Sequence, residues 1–242
     1  MKELTKTLKR EVERWAEHRY VEARFFKAME ENFFHHLHAS LHLYNVEILI
    51  QNSLRCIQMA EISSKRLGYA KLAEFFNQKY REETGHDDWA KTDYMKMMSE
   101  SEDYSFLKLL PGAIHLIEKL HHVSRFHPIS MLAYIFFGEY HILLVGPKVS
   151  QMQQKTKGIE TTLLDRHIEL DIGHVEHDLQ TLDDLIVEGE IGQRALRDMK
   201  DFMGFQIELL NGIFEAVPDH VKGAMGYESF GSDLSRALSP SS

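Results

Sequence analysis

Cysteine is almost absent: Cys56 is the single one among 242 residues, so no internal disulfide can staple the chain and stability must come from a hydrophobic core. Proline is scarce too, with five residues at positions 111, 128, 147, 218 and 240, and between them nothing alternates as a half-buried strand would. Basic stripes that could track a phosphate backbone are lacking and the formal net charge is -9, so no nucleic-acid partner is expected. No apolar signal core follows Met1, which gives a cytoplasmic expectation. The one long apolar run, from Pro128 to Val145, is broken by Glu139 and His141. That pair makes a membrane span a poor reading and a buried central helix a good one.

What the chain does have is apolar periodicity of 3.6 residues. The expected fold is all-α and single-domain, because 242 residues with 43% apolar and 27% charged composition are enough for one substantial core. Helices are expected at 5–30, 33–66, 70–98, 112–124, 128–145, 160–188 and 192–216. The breaks fall at Gly68, Pro111-Gly112, Gly146-Pro147 and the stretch 188–192. A polar tail runs from Gly231 to the last residue.

Function speaks most clearly in the run Arg-His-Ile-Glu-Leu-Asp-Ile-Gly-His, residues 166–174. On a helix, His167, Asp171 and His174 span a fan of roughly 60°, so one ion can be reached by all three. Imidazole nitrogen and carboxylate oxygen are donors that iron, manganese and zinc accept. With 15 His and 37 acidic residues in the chain, chance alone produces the pattern in about one such sequence in seven. Other helices must therefore supply further ligands.

Two strips do so. Glu83 and His86 stand as E-x-x-H, the i, i+3 arrangement by which four-helix carboxylate proteins hold paired irons, with Glu82 as an alternative to Glu83. Glu139 lies within the apolar run, where an unpaired carboxylate costs several kcal/mol or loses its charge. Three carboxylates and three imidazoles suit two iron or manganese ions bridged by carboxylate, more than a structural zinc requires.

The ordered strips, with intervals of 53 residues from His86 to Glu139 and 28 from Glu139 to His167, resemble the heme-oxygenase-like di-iron oxidases of the TenA/PqqC superfamily. The similarity runs from about Asn32, where Asn-Phe-Phe-His-His-Leu leads into the first core helix, to about Ile213. It implies a seven-helix heme-oxygenase-like bundle over residues 32–217, preceded by a helical extension over 1–31 and followed by a tail over 218–242. It implies Glu83, His86, Glu139, His167, Asp171 and His174 as ligands of two Fe, or of Fe and Mn, with O2 as co-substrate. It also implies a small organic substrate and a homodimer. Some members place their glutamate seven residues before the histidine, and here that position is Lys79.

Two other function classes are open. One is a metal-free TenA/PqqC-like enzyme, a thiaminase-type hydrolase or a cofactorless oxidase, in which Cys56 would be tested as a nucleophile; an inert buried thiol is the simpler reading. The other is a non-catalytic helical interaction protein, which gives no reason to bury Glu139. His35, His36, His38 and His42 form the densest histidine cluster and are read as helix surface or pocket wall in preference to a haem site. Phe75-Phe76 and Phe136-Phe137 are read as core, Tyr134 and Tyr140 as pocket lining, His121 and His122 as a solvated face, and His177 as support for a ligand. The Asp87-Asp88 pair is read as solvated, one member orienting His86.

Overall fold

A computed structural model describes residues 1–20, 23–30, 35–98, 104–154, 162–185 and 189–217. Among these, all regular structure is helical: α1 Glu3–Arg14, α2 Arg24–Glu30, α3 His36–Arg66, α4 Ala70–Glu83, α5 His86–Met97, α6 Pro111–Phe126, α7 Pro128–Gln154, α8 Thr162–Leu185 and α9 Glu190–Ala216. A π-helical turn at Trp15–Tyr20 continues α1, and a 3-10 turn covers Tyr104–Phe106. The all-α expectation holds, but seven helices is an undercount.

The first extra division falls inside 5–30, where the helix passes into the π-helical turn and α2 starts afresh at Arg24. The second divides 70–98 at Thr84-Gly85, where Gly85 takes φ +93°, a conformation glycine adopts without steric cost. Glu83 therefore closes α4 and His86 opens α5, so the pair does not share one helical face as E-x-x-H spacing suggests. Gly146-Pro147, expected as a break, is absorbed within α7. Packing compensates there: a Cβ at position 146 would stand 3.0 Å from the Ile168 side chain, so glycine lets α8 approach closely. The expected boundary at 31/32, the lead-in residues 32–34, residue 188 of the expected break at 188–192 and the tail over 218–242 lie outside the described residues; the rest of that break is shorter than expected, since α9 already starts at Glu190.

Helix α7 forms the centre, packed against α3, α6, α8 and α9. Its Ile129, Met131, Leu132, Ala133, Phe136 and Phe137 are buried all round the helix, as its nearly continuous apolar sequence requires. Length and hydropathy alone would let it cross a membrane, yet 61% of its most apolar window is buried inside the fold. Helix α6 lies close on α9 because Gly112 has no side chain; a Cβ there would fall on the backbone of Leu209 and Phe205. Leu4, Leu8, Val12 and Trp15 of the amino-terminal segment join the same core, and Trp15 Nε1 donates to the Met203 carbonyl at 3.2 Å. The site is thus assembled from the end of α4, the start of α5, the middle of α7 and the first half of α8.

Candidate metal centre

On α4 the buried stripe Leu72, Phe75, Phe76 continues at helical spacing to Lys79, which points its ammonium into the protein and is 1% exposed. Lys79 Nζ donates to Glu139 Oε1 at 2.7 Å and pairs with Glu82 Oε2 at 3.4 Å and Asp178 Oδ1 at 3.8 Å. Burial alone would push this ammonium down, but Glu139 and Asp178 outweigh it and hold the group above its ordinary value. Neither Lys79 nor Asp178 was singled out as a site residue by sequence reasoning. Both had a signal: Lys79 extends an apolar stripe, and Asp178 sits four residues past His174 on its face.

The helix break at Gly85 turns the Glu83 carboxylate onto His86, Oε2 to Nδ1 at 3.0 Å. His86 stacks on Trp89 with ring centroids 4.1 Å apart and meets the His167 ring edge-on at 4.9 Å. His167 is oriented from behind: its Nδ1 donates to the Leu163 carbonyl at 2.8 Å, so Nε2 is the ring nitrogen left to hold an ion. One donor atom each from Glu83, His86 and His167 lies within 4.8 Å of the others, and the same holds for Glu83, Glu139 and His174. An ion with ligands at about 2.1 Å needs donors roughly 3 to 4 Å apart, so small side-chain closures complete either group. Glu83 belongs to both.

Five of the six expected ligands thus fall into two adjoining groups. Asp171 is the sixth and enters neither; it is buried behind His174, Oδ1 to Nδ1 at 3.4 Å, and holds that imidazole above its ordinary value. Glu82 reaches His174 Nε2 at 3.8 Å and is tied to Gln78 at 2.8 Å, so it flanks the second group without joining it.

The buried polar atoms without a hydrogen-bond partner test whether an ion fits. Glu82 Oε2, Glu139 Oε2, Asp171 Oδ2, His174 Nδ1 and both Asp178 oxygens are all of this kind, and they surround the second group. Such atoms cost free energy unless a cation or protons satisfy them. Burial and the neighbouring Asp178 push Glu139 well above the carboxylate range despite Lys79, and burial raises Asp178 to about 6. One ammonium does not offset this much negative charge. The donor set is oxygen and imidazole nitrogen without thiolate, which fits iron or manganese.

No family profile and no curated protein matches the sequence. Solved structures do: a domain of unknown function with a heme oxygenase-like fold from Shewanella denitrificans OS217 aligns with TM-score 0.77, covering 87% of this chain and 91% of that one at 18% identity. The fold is heme oxygenase-like. In this heme oxygenase-like bundle the centre lies at a cavity of about 240 Å³ whose lining includes Lys79, Glu83, Glu139 and His167. Most of the remaining lining is aliphatic, from α3, α7 and α8, with Ser53, Tyr134, His42 and His141 among the polar exceptions.

Tyr134 lines that cavity as expected, its hydroxyl 3.3 Å from Ser53 Oγ, whereas Tyr140 turns away and donates to Glu13 at 2.7 Å. A tyrosine one residue past an inward-facing glutamate lies about 100° round the helix, which accounts for the difference. Cys56 is not among the lining residues, and burial pushes its thiol up to about 11, so it has no thiolate to attack with. Asp87 accepts from Gln51 at 3.2 Å while Glu83 orients His86. His177 packs against Phe75, ring centroids 5.4 Å apart, and belongs to neither candidate group.

Of the histidine cluster, His35 caps α3, His38 is buried, and His42 is cavity wall, edge-on to Phe25. Burial with the nearby His141 lowers the His42 imidazole to about 4. A histidine depressed in the folded state leaves the unfolded chain to take the proton first as pH falls. Stability is therefore expected to drop between pH 6.5 and pH 4, by at most about 3 kcal/mol from this group. Thermal melts at pH 7 and pH 5 check it: His42→Gln should lose less than the wild type over that interval, and parallel losses would contradict the assignment.

Proposed function

We propose that this protein is an iron- or manganese-dependent oxidase or oxygenase that uses O2 on a small, largely apolar organic molecule. The observation that carries the reading is Glu83, a carboxylate shared by two candidate metal groups at the wall of an apolar cavity. An ion held there by Glu83 with His86 and His167, or with Glu139 and His174, would supply one-electron redox chemistry toward dioxygen. The chain's own residues do the rest. Leu163 holds His167 in the ligand tautomer, Trp89 keeps the His86 ring in place, and the aliphatic walls from α3, α7 and α8 exclude water from the space beside the carboxylates.

Anaerobic loading of the wild type with Fe(II), desalting, and exposure to O2 test the proposal. At least one iron per chain and O2 consumption faster than free Fe(II), abolished by a chelator, are the expected results. Iron content well below one per chain would overturn it. A second reading, a metal-free enzyme, is favoured by one contact: the Lys79 ammonium already pairs with Glu139 at 2.7 Å and could act with it on a bound substrate. That reading predicts turnover indifferent to chelators.

A further inference from the structure

The two metal groups share Glu83 but differ in one respect that neither the fold nor the ligand inventory requires. The group Glu83, His86 and His167 contains no basic amine, and its internal contacts are a carboxylate on an imidazole and an imidazole on a carbonyl. The group Glu83, Glu139 and His174 has an ammonium bonded to one of its ligands: Lys79 Nζ sits 2.7 Å from Glu139 Oε1. Lys79 is no passing surface group. It is 1% exposed, and its three carboxylate partners come from three different helices, Glu82 on α4, Glu139 on α7 and Asp178 on α8.

We propose that Lys79 is a resident cation that competes for the second metal position, so that the centre loads in order: one ion at Glu83, His86 and His167, and a second only when Lys79 is displaced from Glu139. The inference rests on the metal-centre reading above. An ion bound to Glu139 at about 2.1 Å stands a few ångströms from an ammonium 2.7 Å from the same carboxylate, and like charges at that separation repel strongly in a buried site. Lys79 cannot retreat into solvent, because Phe75 lies beneath it with Nζ 5.9 Å from the ring centroid and its stem is enclosed. It can turn toward Asp178 and Glu82, whose facing oxygens have no hydrogen-bond partner of their own. That movement frees Glu139 without unburying the charge. At the first position Lys79 acts on Glu83 through its charge alone, and the Glu83 carboxylate is hydrogen-bonded to His86 instead, whereas at the second position the ammonium is bonded to the ligand Glu139 itself.

Mn(II) binding to the full chain, followed by equilibrium titration and electron paramagnetic resonance, decides the matter. In the wild type one tight ion should give an uncoupled six-line spectrum. It should vanish in His167→Ala and survive in His174→Ala. In Lys79→Met, purified in the presence of Mn(II), the second ion should bind at least about tenfold more tightly and couple to the first, with affinity for the first ion within about threefold of wild type. Two ions of equal affinity in the wild type, or a tight ion lost in His174→Ala instead, would leave the metal-centre reading standing and overturn this inference. So would a folded Lys79→Met whose second ion binds no more tightly. Should Lys79→Met fail to fold, the wild type and its two histidine variants decide alone. Failure of all variants and the wild type to bind any manganese would sink the metal-centre reading and this inference with it.

Discussion

Glu83→Ala is expected to strip the protein of metal, with affinity falling by more than about 100-fold for any ion it binds, since direct ligands exceed the effect of the groups that orient them. The reason is that Glu83 contributes to both candidate groups, whereas each histidine serves one. Glu82→Ala is the matched control. Its carboxylate lies one residue earlier, close to Lys79 and His174 at 3.4 and 3.8 Å, but belongs to neither group, so affinity should change by less than about tenfold. Calorimetric titration of both variants with Mn(II) under argon makes the comparison. The reverse ranking would transfer the bridging role to Glu82. Comparison of the metal-free forms shows whether the fold is intact. Glu83→Ala also leaves His86 Nδ1 without its 3.0 Å partner, which should appear as altered stacking on Trp89 and a shift in tryptophan fluorescence.

Removing Lys79 should produce the largest loss of stability in the metal-free protein. Lys79→Met keeps the length and apolar stem but leaves Glu139 and Asp178, both buried, without the cation they face. Breaking a buried pair by deleting one partner costs about 3 to 5 kcal/mol, which in a chain of this size lowers Tm by roughly 6 to 20 °C. The pH dependence has a definite sign. Burial already raises Asp178 to about 6 and holds Glu139 high, and loss of Lys79 raises both further. A carboxyl whose folded-state pKa lies above its unfolded value favours folding while protonated and gives up that advantage as pH rises through the interval between the two. The deficit of Lys79→Met against wild type should therefore be greatest near pH 8 and shrink toward pH 5, and Mn(II) should restore more stability to the variant than it adds to the wild type. A metal-free Tm within about 2 °C of wild type at pH 8 would show that Lys79 does not balance these carboxylates.

These two residues also show how far sequence reasoning reached. That His167, Asp171 and His174 lie along one face was legible because helical periodicity alone decides it and α8 is unbroken from Thr162 to Leu185, but the expectation that one ion reaches all three fails: His167 and His174 fall in different groups and Asp171 in neither. Glu139 was legible because a carboxylate in an apolar helix is costly wherever that helix lies. Glu83 with His86 was found for a reason the structure corrects: the spacing suggested one helix face, and Gly85 breaks the helix between them. They meet because the turn folds one onto the other. Tyr140 was misplaced for a related reason, since nearness in sequence to Glu139 says little about direction around a helix.

By itself, then, the sequence determined the helical class, the buried character of α7 and the identity of most residues that could hold an ion, because these follow from local periodicity and the cost of burying charge. Only the tertiary structure decided that Glu83 is shared by two groups while Asp171 stands behind His174, and that Lys79 and Asp178 belong to the same cluster. The reason is physical. Which carboxylate an ammonium meets depends on how α4, α7 and α8 approach one another, and that approach is set by the packing of uncharged positions such as Gly146 against Ile168.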